Sequence, residues 1–448
     1  MKLRTPLRLA AVAVAATLAL AGCSTGGSGG AAGGSSGGSA AASSCKPSSG
    51  TVNLNFTTWV PNMDEVVAIW NKENPKIQVK ASIVASGNSG TYQNFFNQLK
   101  AGNAPDIGQV EYDTLPAFRL QDGLANIASC PGISKAKADF APGLWNQVTF
   151  GEANSVYAVP QDSGPMAMYY RKDLFKKAGI AVPTTWDEYA AAAQKIAAKG
   201  GYITDFAKGD VNQFAGLVSQ AGGQWFATKG DNWSVNLTSP ESKKVADYWQ
   251  NLISKKYVNT LPSFTDQWNN AYNTDKDWTW VSAVWGANTI SSGAPKTSGK
   301  WAVAPMPQWT AGETKSAAWG GSSSVVFKNS KHPYEAAKFI TWLNTSTEAL
   351  SELNKVANLY PAATSGSTLP ALTQGVPFYG DQKIYEEFAT AGKNIQPFTW
   401  GPTMTQTYSD VSDGFGSATT GQGTLTEALA AGQTKTIAAL KAQSIPVK

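Results

Sequence analysis

The residues of this chain best suited to chemistry are carboxylates and indoles. Glu111 and Asp113 flank Tyr112 and form the one suggestive close acidic pair. Two such groups act as acid and base on a glycosidic bond when they stand about 5–10 Å apart across it. They serve equally well as acceptors for hydroxyl groups. Trp is abundant at 16 residues, and many of these lie in stretches rich in Gly, Asn and Thr. A pyranose has an apolar C–H face and polar hydroxyl edges. An indole covers the face with little loss of entropy. Asp, Glu, Asn, Gln and backbone groups bind the edges, and the cost of unpaired buried donors makes the edges set specificity. His occurs once, at His332. That count rules out a two-His zinc site, and a Ser-His or Cys-His dyad away from His332.

The elements that would position these groups alternate along the chain. Val52, Leu54 and Phe56 alternate with polar residues, which predicts a strand over 51–56. Asn62 before Asp64-Glu65 reads as an Asn-started variant of a capping box, followed by Val66, Ile69 and Trp70 at helical spacing. Asn74-Pro75 stops that helix, and Ile77, Val79, Ala81 and Ile83 form the next strand. A helix over 92–100 and a strand over 106–110 follow. Thr185-Trp186-Asp187-Glu188 is a capping box, Pro333 suits a first helical turn, and 345–348 caps another helix. Repeated β-α-β units favour a parallel sheet with helices on both faces. In such sheets ligands meet the carboxyl ends of strands. Trp59 stands just past the first strand, and Glu111, Tyr112 and Asp113 just past the third. Asn88 lies in a Gly- and Ser-rich turn, Trp319-Gly320 at a point where Gly would let a ligand approach the backbone, and Trp400 in a loop between prolines. A solvated or helix-capping role for Asp113 competes with ligand contact. Trp70, Trp186, Trp249 and Trp342 fall in helical patterns and read as core. Trp145, Trp225, Trp268 and Trp278 are weaker ligand candidates.

The first fifty residues read as an address and a tether. A basic stretch over 1–8 precedes about 13 apolar residues, too few for a permanent membrane span. The segment ends Leu20-Ala21-Gly22-Cys23, which resembles the bacterial lipobox, with Cys23 the acylated residue. This predicts a signal peptide over 1–22. Residues 24–44 are all Ser, Thr, Gly or Ala, a flexible coil with a reach of roughly 25 Å. The linker as a whole is expected over 23–50. Cys45 and Cys130 remain, and in an exported protein they read as one disulfide, with two independent buried thiols as the alternative.

The stretch from Tyr157 through Gln161-Asp162-Ser163-Gly164-Pro165 to Phe175 resembles the first hinge crossing of sugar-binding proteins of bacterial ABC importers, the maltose-binding-protein class. Lys176 to Ile180 and Pro183 to Glu188 continue the likeness. Ala101 to Ile107 and Gly320 to Pro333 carry further parts of it, over roughly 51–400 in all. The resemblance implies an α/β fold of two lobes, each a mostly parallel sheet flanked by helices, joined by crossing strands with the ligand between. Crossings are expected near Gln161-Asp162, Ala304-Pro305 and Ala357 to Pro361. Lobe one is then 51–161 with 306–357, and lobe two 162–305 with 358–448. Gln161, Asp162 and Tyr360 fall at crossings. Trp285 takes the place of an aromatic that relatives carry, although the local sequence Ala283-Val284-Trp285-Gly286 departs from their Gly-Ser/Pro-Trp. The implied function is capture of a mono- or oligosaccharide by hinge closure, for delivery to the membrane permease of an ABC importer. A lipid-anchored monomer on the outer face of the plasma membrane, or on the periplasmic side in a Gram-negative cell, is expected. No cofactor and no metal are implied.

Composition bears on the alternatives. The chain is 448 residues long, 42% hydrophobic and only 15% charged, enough for two or three folded domains. Cleavage removes Lys2, Arg4 and Arg8 and lowers the net charge from +5 to +2, which gives no reason to invoke nucleic acid. A secreted glycosidase, a binding protein for a peptide or polyamine, and a surface adhesin are the competing readings.

Overall fold

The computed structural model describes residues 45–229 and 232–448. Cys23, the leader and most of the linker lie outside the described residues. Among the described residues there are ten strands: β1 Val52–Thr58, β2 Ile77–Ile83, β3 Ile107–Glu111, β4 Ala158–Pro160, β5 Met166–Arg171, β6 Phe226–Lys229, β7 Asn232–Val235, β8 Thr279–Ala283, β9 Trp301–Ala304 and β10 Ser322–Val326. The chain opens β-α-β. In β1, Val52, Leu54, Phe56 and Thr58 are buried and the residues between them are not, so period-2 alternation sets the inward face. The helix Met63–Glu73 follows, with Met63, Val66, Val67 and Trp70 buried. Its start differs from expectation. Asn62 is left-handed at φ 57° and makes no cap bond; its amide donates to the Val356 carbonyl instead. The capping box at Thr185 does form, with Thr185 and Glu188 each satisfying the other's backbone N–H. At 345–348 the cap is Ser346, which accepts from the Ala349 N–H.

The first sheet has the order β2-β1-β3-β10-β4. β1 pairs in parallel with β2 and β3, while β10 runs antiparallel to both β3 and β4. Four strands therefore share one direction and the returning strand β10 opposes them. The second sheet has the order β8-β5-β9, and both pairs are antiparallel. This corrects the expectation of a mostly parallel sheet in each lobe. β5 enters from the first sheet, so it runs against its neighbours. Parallel pairing in this half takes the form of isolated bridges, Tyr202 to Asp277 and Asp205 to Asn259 among them.

Two hydrophobic cores result. One gathers residues between Val52 and Val159 and between Val325 and Leu372. The other gathers residues between Met166 and Trp319 and between Tyr379 and Ile445. Met306, Ala317 and Trp319, expected with the first lobe, pack in the second core. Leu359, Leu369 and Leu372, expected with the second, pack in the first. Tyr360, Tyr385 and Trp400 pack against both. Cys45 and Cys130 form a disulfide with Cα atoms 5.1 Å apart, which pins the start of the body to the first core. Ser48 strengthens the attachment: its N–H donates to Glu335 at 2.6 Å, and its hydroxyl meets the His332 ring at 2.9 Å. No helix among the described residues is long and apolar enough to cross a membrane.

Candidate ligand-binding site between the two cores

Three strand ends of the first sheet converge. β3 ends at Glu111, β4 leads into Gln161-Asp162, and β10 starts at Ser322 opposite Glu111. The carboxyl ends of parallel strands β3 and β4 thus face the same edge, the usual ligand edge of an α/β sheet. Backbone bonds lock the convergence: the Tyr112 N–H donates to the Gly321 carbonyl and the Gln161 N–H to Ser322. The Tyr112 hydroxyl donates to the Asp162 carbonyl at 2.9 Å. Gly321 has a φ of +98°, and a Cβ there would lie 2.9 Å from the Tyr112 ring. Only glycine meets both demands.

From the second core come β8, which ends beside Trp285, and the segment carrying Trp319. The Trp319 N–H donates to Gly164 at 2.9 Å and the Trp285 indole N–H to the Trp319 carbonyl at 3.0 Å. The two rings meet edge to face at 4.6 Å, and Trp280 and Phe264 extend the cluster. Phe264 is 48% exposed and has φ 65°, so an aromatic ring is presented to solvent beside buried indoles. The helices Val211–Gln220 and Met404–Thr419 contribute Asp210, Asn212 and Tyr408.

Asp113 ties the two sides together. Its Oδ2 accepts from Asn212 Nδ2 at 2.8 Å and from the Tyr408 hydroxyl at 3.0 Å, and its Oδ1 from the Thr114 hydroxyl. It is 3% exposed and makes no helix cap, so neither the solvated nor the capping role holds. Glu111 Oε2 accepts from the Tyr92 hydroxyl at 2.9 Å, and the Glu111 N–H donates to that same hydroxyl. Asp162 accepts from the Ser322 hydroxyl at 2.6 Å.

Burial raises every one of these acids. Glu111 is pushed up to about 8 by burial and then by the charge of Asp113, against the Tyr92 hydrogen bond. Asp113 is raised by burial, opposed by the bonds from Thr114, Tyr408 and Asn212. Asp162 is raised by burial, opposed by Ser322. Asp210 is pushed up to about 6 by burial; hydrogen bonds, that of the Trp319 side chain among them, hold it down. Burial and the neighbouring Asp113 charge thus favour the protonated form of Glu111, which can donate as well as accept.

The expected residues do not all meet at one place. Glu111, Tyr112, Asp113, Asp162, Trp285, Trp319 and Gly320 come together, with Trp59 reaching the set through an edge contact of 5.9 Å to Tyr92. Tyr360 stacks on Tyr385 at 6.1 Å beside the crossing, and Trp400 packs on Phe398 at 4.6 Å. Gln161 is wholly buried, and both atoms of its amide lack a protein partner. Asn88 stands apart on the exposed turn Gly87–Ser89. Trp145, Trp225, Trp268 and Trp278 are all buried in the cores. Tyr92, Asp210, Asn212, Tyr408, Trp280 and Phe264 escaped the sequence reading. Tyr92 sits in an ordinary helical stripe, and nothing local marks Asn212 or Tyr408. Asp210 carried one signal, an N-cap position before Val211.

As chemistry, the set offers hydrogen-bonding edges beside aromatic faces. It is poorly arranged as a catalytic pair, because both oxygens of Asp113 are already occupied by donors.

Comparison with known proteins bears on the family and the fold. Residues 54–349 match the family model described as bacterial extracellular solute-binding protein. The arabinooligosaccharide-binding protein of Bacillus subtilis strain 168 is 26% identical over 304 residues, covering 66% of this chain and 69% of that protein. The galacto-N-biose/lacto-N-biose I-binding protein of the ABC transporter of Bifidobacterium longum, solved with lacto-N-biose, is 32% identical with a TM-score of 0.81, over 90% of this chain and all of that one. The ABC transporter associated binding protein of B. animalis subsp. lactis, solved with β-1,6-galactobiose, is 28% identical with a TM-score of 0.76, over 89% of this chain and 100% of that one. In fold and over most of its length, the chain belongs to the family of bacterial extracellular solute-binding proteins.

Proposed function

We propose that this protein is the substrate-binding component of an ABC-type carbohydrate importer and captures a mono- or oligosaccharide between its two lobes. The observation that carries the reading is Asp113. This acid of the first core is bonded to Asn212 and Tyr408 of the second, beside an aromatic cluster and three converging strand ends. Relatives named for arabinooligosaccharides, lactose and lacto-N-biose support the ligand class.

In mechanism, a sugar touching both lobes binds the closed arrangement better than the open one and shifts the population by that difference. Closure excludes water and strengthens each polar contact. The aromatic faces of Trp285 and Trp319 and the protonated Glu111 are the groups we assign to the ring face and a hydroxyl edge. The lobes follow the cores: 51–161 with 322–372, and 162–321 with 373–448. Membrane permease subunits read the closed surface. The protein acts as a lipid-anchored monomer outside the cytoplasm, held by Cys23 on the tether over 24–44, and it carries out no catalysis.

Calorimetric titration of protein lacking residues 1–23 tests this. The panel holds mono- and oligosaccharides, peptides and polyamines. One-to-one binding of a saccharide, recovered uncleaved, is expected. Binding of a peptide or polyamine with no saccharide signal overturns the reading, and cleavage of the sugar overturns the binding-only role.

A further inference from the structure

The acids at the end of β3 receive unequal numbers of donors. Asp113 is buried and accepts three hydrogen bonds. Asn212 Nδ2 at 2.8 Å and the Tyr408 hydroxyl at 3.0 Å reach Oδ2, and the Thr114 hydroxyl at 3.0 Å reaches Oδ1. Glu111, two residues earlier, accepts one, from the Tyr92 hydroxyl at 2.9 Å on Oε2. Among the described residues no salt bridge includes either acid. Two neighbouring carboxyl groups withdrawn from water resist ionising together. The charge stays where the donors are, on Asp113, and the proton goes to Glu111.

Tyr92 also decides which oxygen carries that proton. Its hydroxyl accepts from the Glu111 backbone N–H at 2.9 Å, and Glu111 is the acceptor for its one hydrogen. Oε2 therefore accepts, and the acid proton belongs on Oε1. Glu111 is part-exposed, at the edge where β3, β4 and β10 converge, so Oε1 is the oxygen left for a ligand. The titratable groups that face Glu111 are Asp113 on its own strand end, Tyr92 from the helix Thr91–Ala101, Asp162 at the crossing, Asp210 before the helix Val211–Gln220, and Tyr408. None is a cation, and of these the Tyr92 hydrogen bond alone favours the charged form.

We propose that Glu111 serves the sugar site as a neutral hydrogen-bond donor, giving the proton on Oε1 to an acceptor oxygen of the saccharide while Asp113 carries the charge of the pair. This rests on the sugar-binding reading above and deepens it. The two acids thereby divide the work. The charged one ties the lobes together through Asn212 and Tyr408, and the neutral one reads the sugar.

Two measurements test the proposal. Carbon-13 NMR of the Glu side-chain carboxyls follows Glu111 without any sugar, with Glu111→Gln assigning its signal. Its midpoint should lie near about pH 8. A midpoint below about 7 overturns the proposal, because the acid would then be charged at neutral pH. Calorimetry then follows the tightest-binding saccharide of the panel above, lactose and maltose included. Wild-type affinity should fall about tenfold between about pH 7 and 9, as the donating form drops from about nine-tenths to about one-tenth of the protein. Glu111→Gln keeps a carbonyl for Tyr92 and sets an N–H donor in the place of Oε1. Its affinity should change by under about twofold over that range. Glu111→Leu keeps neither group and should bind at least about tenfold more weakly than Glu111→Gln at about pH 7. If the two variants bind equally weakly, or the wild type holds its affinity up to about pH 9, the donor role falls and the sugar reading stands. A midpoint near about 8 in a protein that binds no saccharide overturns the donor role and the sugar reading together.

Discussion

Tyr408→Phe isolates the bond between the cores. The substitution keeps the ring, and with it the packing of the helix Met404–Thr419, and deletes one hydroxyl. That hydroxyl donates to Asp113 Oδ2 at 3.0 Å, an oxygen that also takes Asn212 at 2.8 Å. When the lobes part, water replaces the Tyr408 hydroxyl on Asp113, so the loss falls on the closed arrangement alone. A hydrogen bond to a charged acceptor contributes about 1.5–3 kcal/mol. The burial that already raises Asp113 leaves it worse off without this donor. If sugar binds only the closed form, affinity falls by the same free energy, about 10- to 150-fold. Calorimetric titration of the wild type and the variant with the same sugar reads this directly, and urea unfolding should change by under about 1 kcal/mol. An affinity within about twofold of wild type would refute the reasoning, because the bond would then contribute nothing to closure.

Trp285→Ala removes an indole whose N–H donates to Trp319 and whose ring packs on it at 4.6 Å, so sugar affinity should drop by at least about 30-fold in titration; unchanged affinity removes Trp285 from the site. Asp205 and Asp277 sit buried in the second core and are pushed up to about 8 and about 7, Asp205 by burial and then by Asp277, Asp277 by burial. Both folded values exceed the ordinary carboxylate value, so their stabilising contribution is complete below about pH 4 and is lost as pH rises through 7 to 8. The melting temperature should therefore fall over that upper window, and Asp277→Asn should flatten the fall; a wild-type profile already flat from about pH 5 to 9 contradicts this. Cys130→Ser opens the bridge between Cys45 and Cys130, positions 85 apart, and should cost about 4–5 kcal/mol in chemical unfolding under oxidising conditions; a loss below about 1 kcal/mol would mean the strap over 45–50 is held by Ser48 and Glu335 alone.

Much of the fold was legible because local rules agreed with tertiary need. The alternation of Val52, Leu54 and Phe56 and the Thr185 capping box are local patterns, and each became the element it implied. Asn62 failed as a cap because its backbone is left-handed rather than extended and its side chain is turned to the distant Val356 carbonyl. The antiparallel second sheet was hidden for a different reason. Strand direction depends on where β5 enters, and no residue of Met166–Arg171 records that. Around the site, Glu111 to Asp113 could be found because they follow an apolar strand. Tyr92, Asn212 and Tyr408 could not, since each earns its place through a partner far away in sequence. Several Trp residues read as possible platforms are core instead. An indole in a Gly-rich context and one buried beneath it look alike until packing is seen.

The account stands or falls on closure around a sugar. The direct measurement is small-angle X-ray scattering of the protein lacking residues 1–23, alone and saturated with the sugar that calorimetry identifies. The account expects a smaller radius of gyration with sugar bound, and a smaller change for Tyr408→Phe at the same sugar concentration. An unchanged radius at confirmed saturation, in a protein whose lobes are apart without sugar, would contradict it.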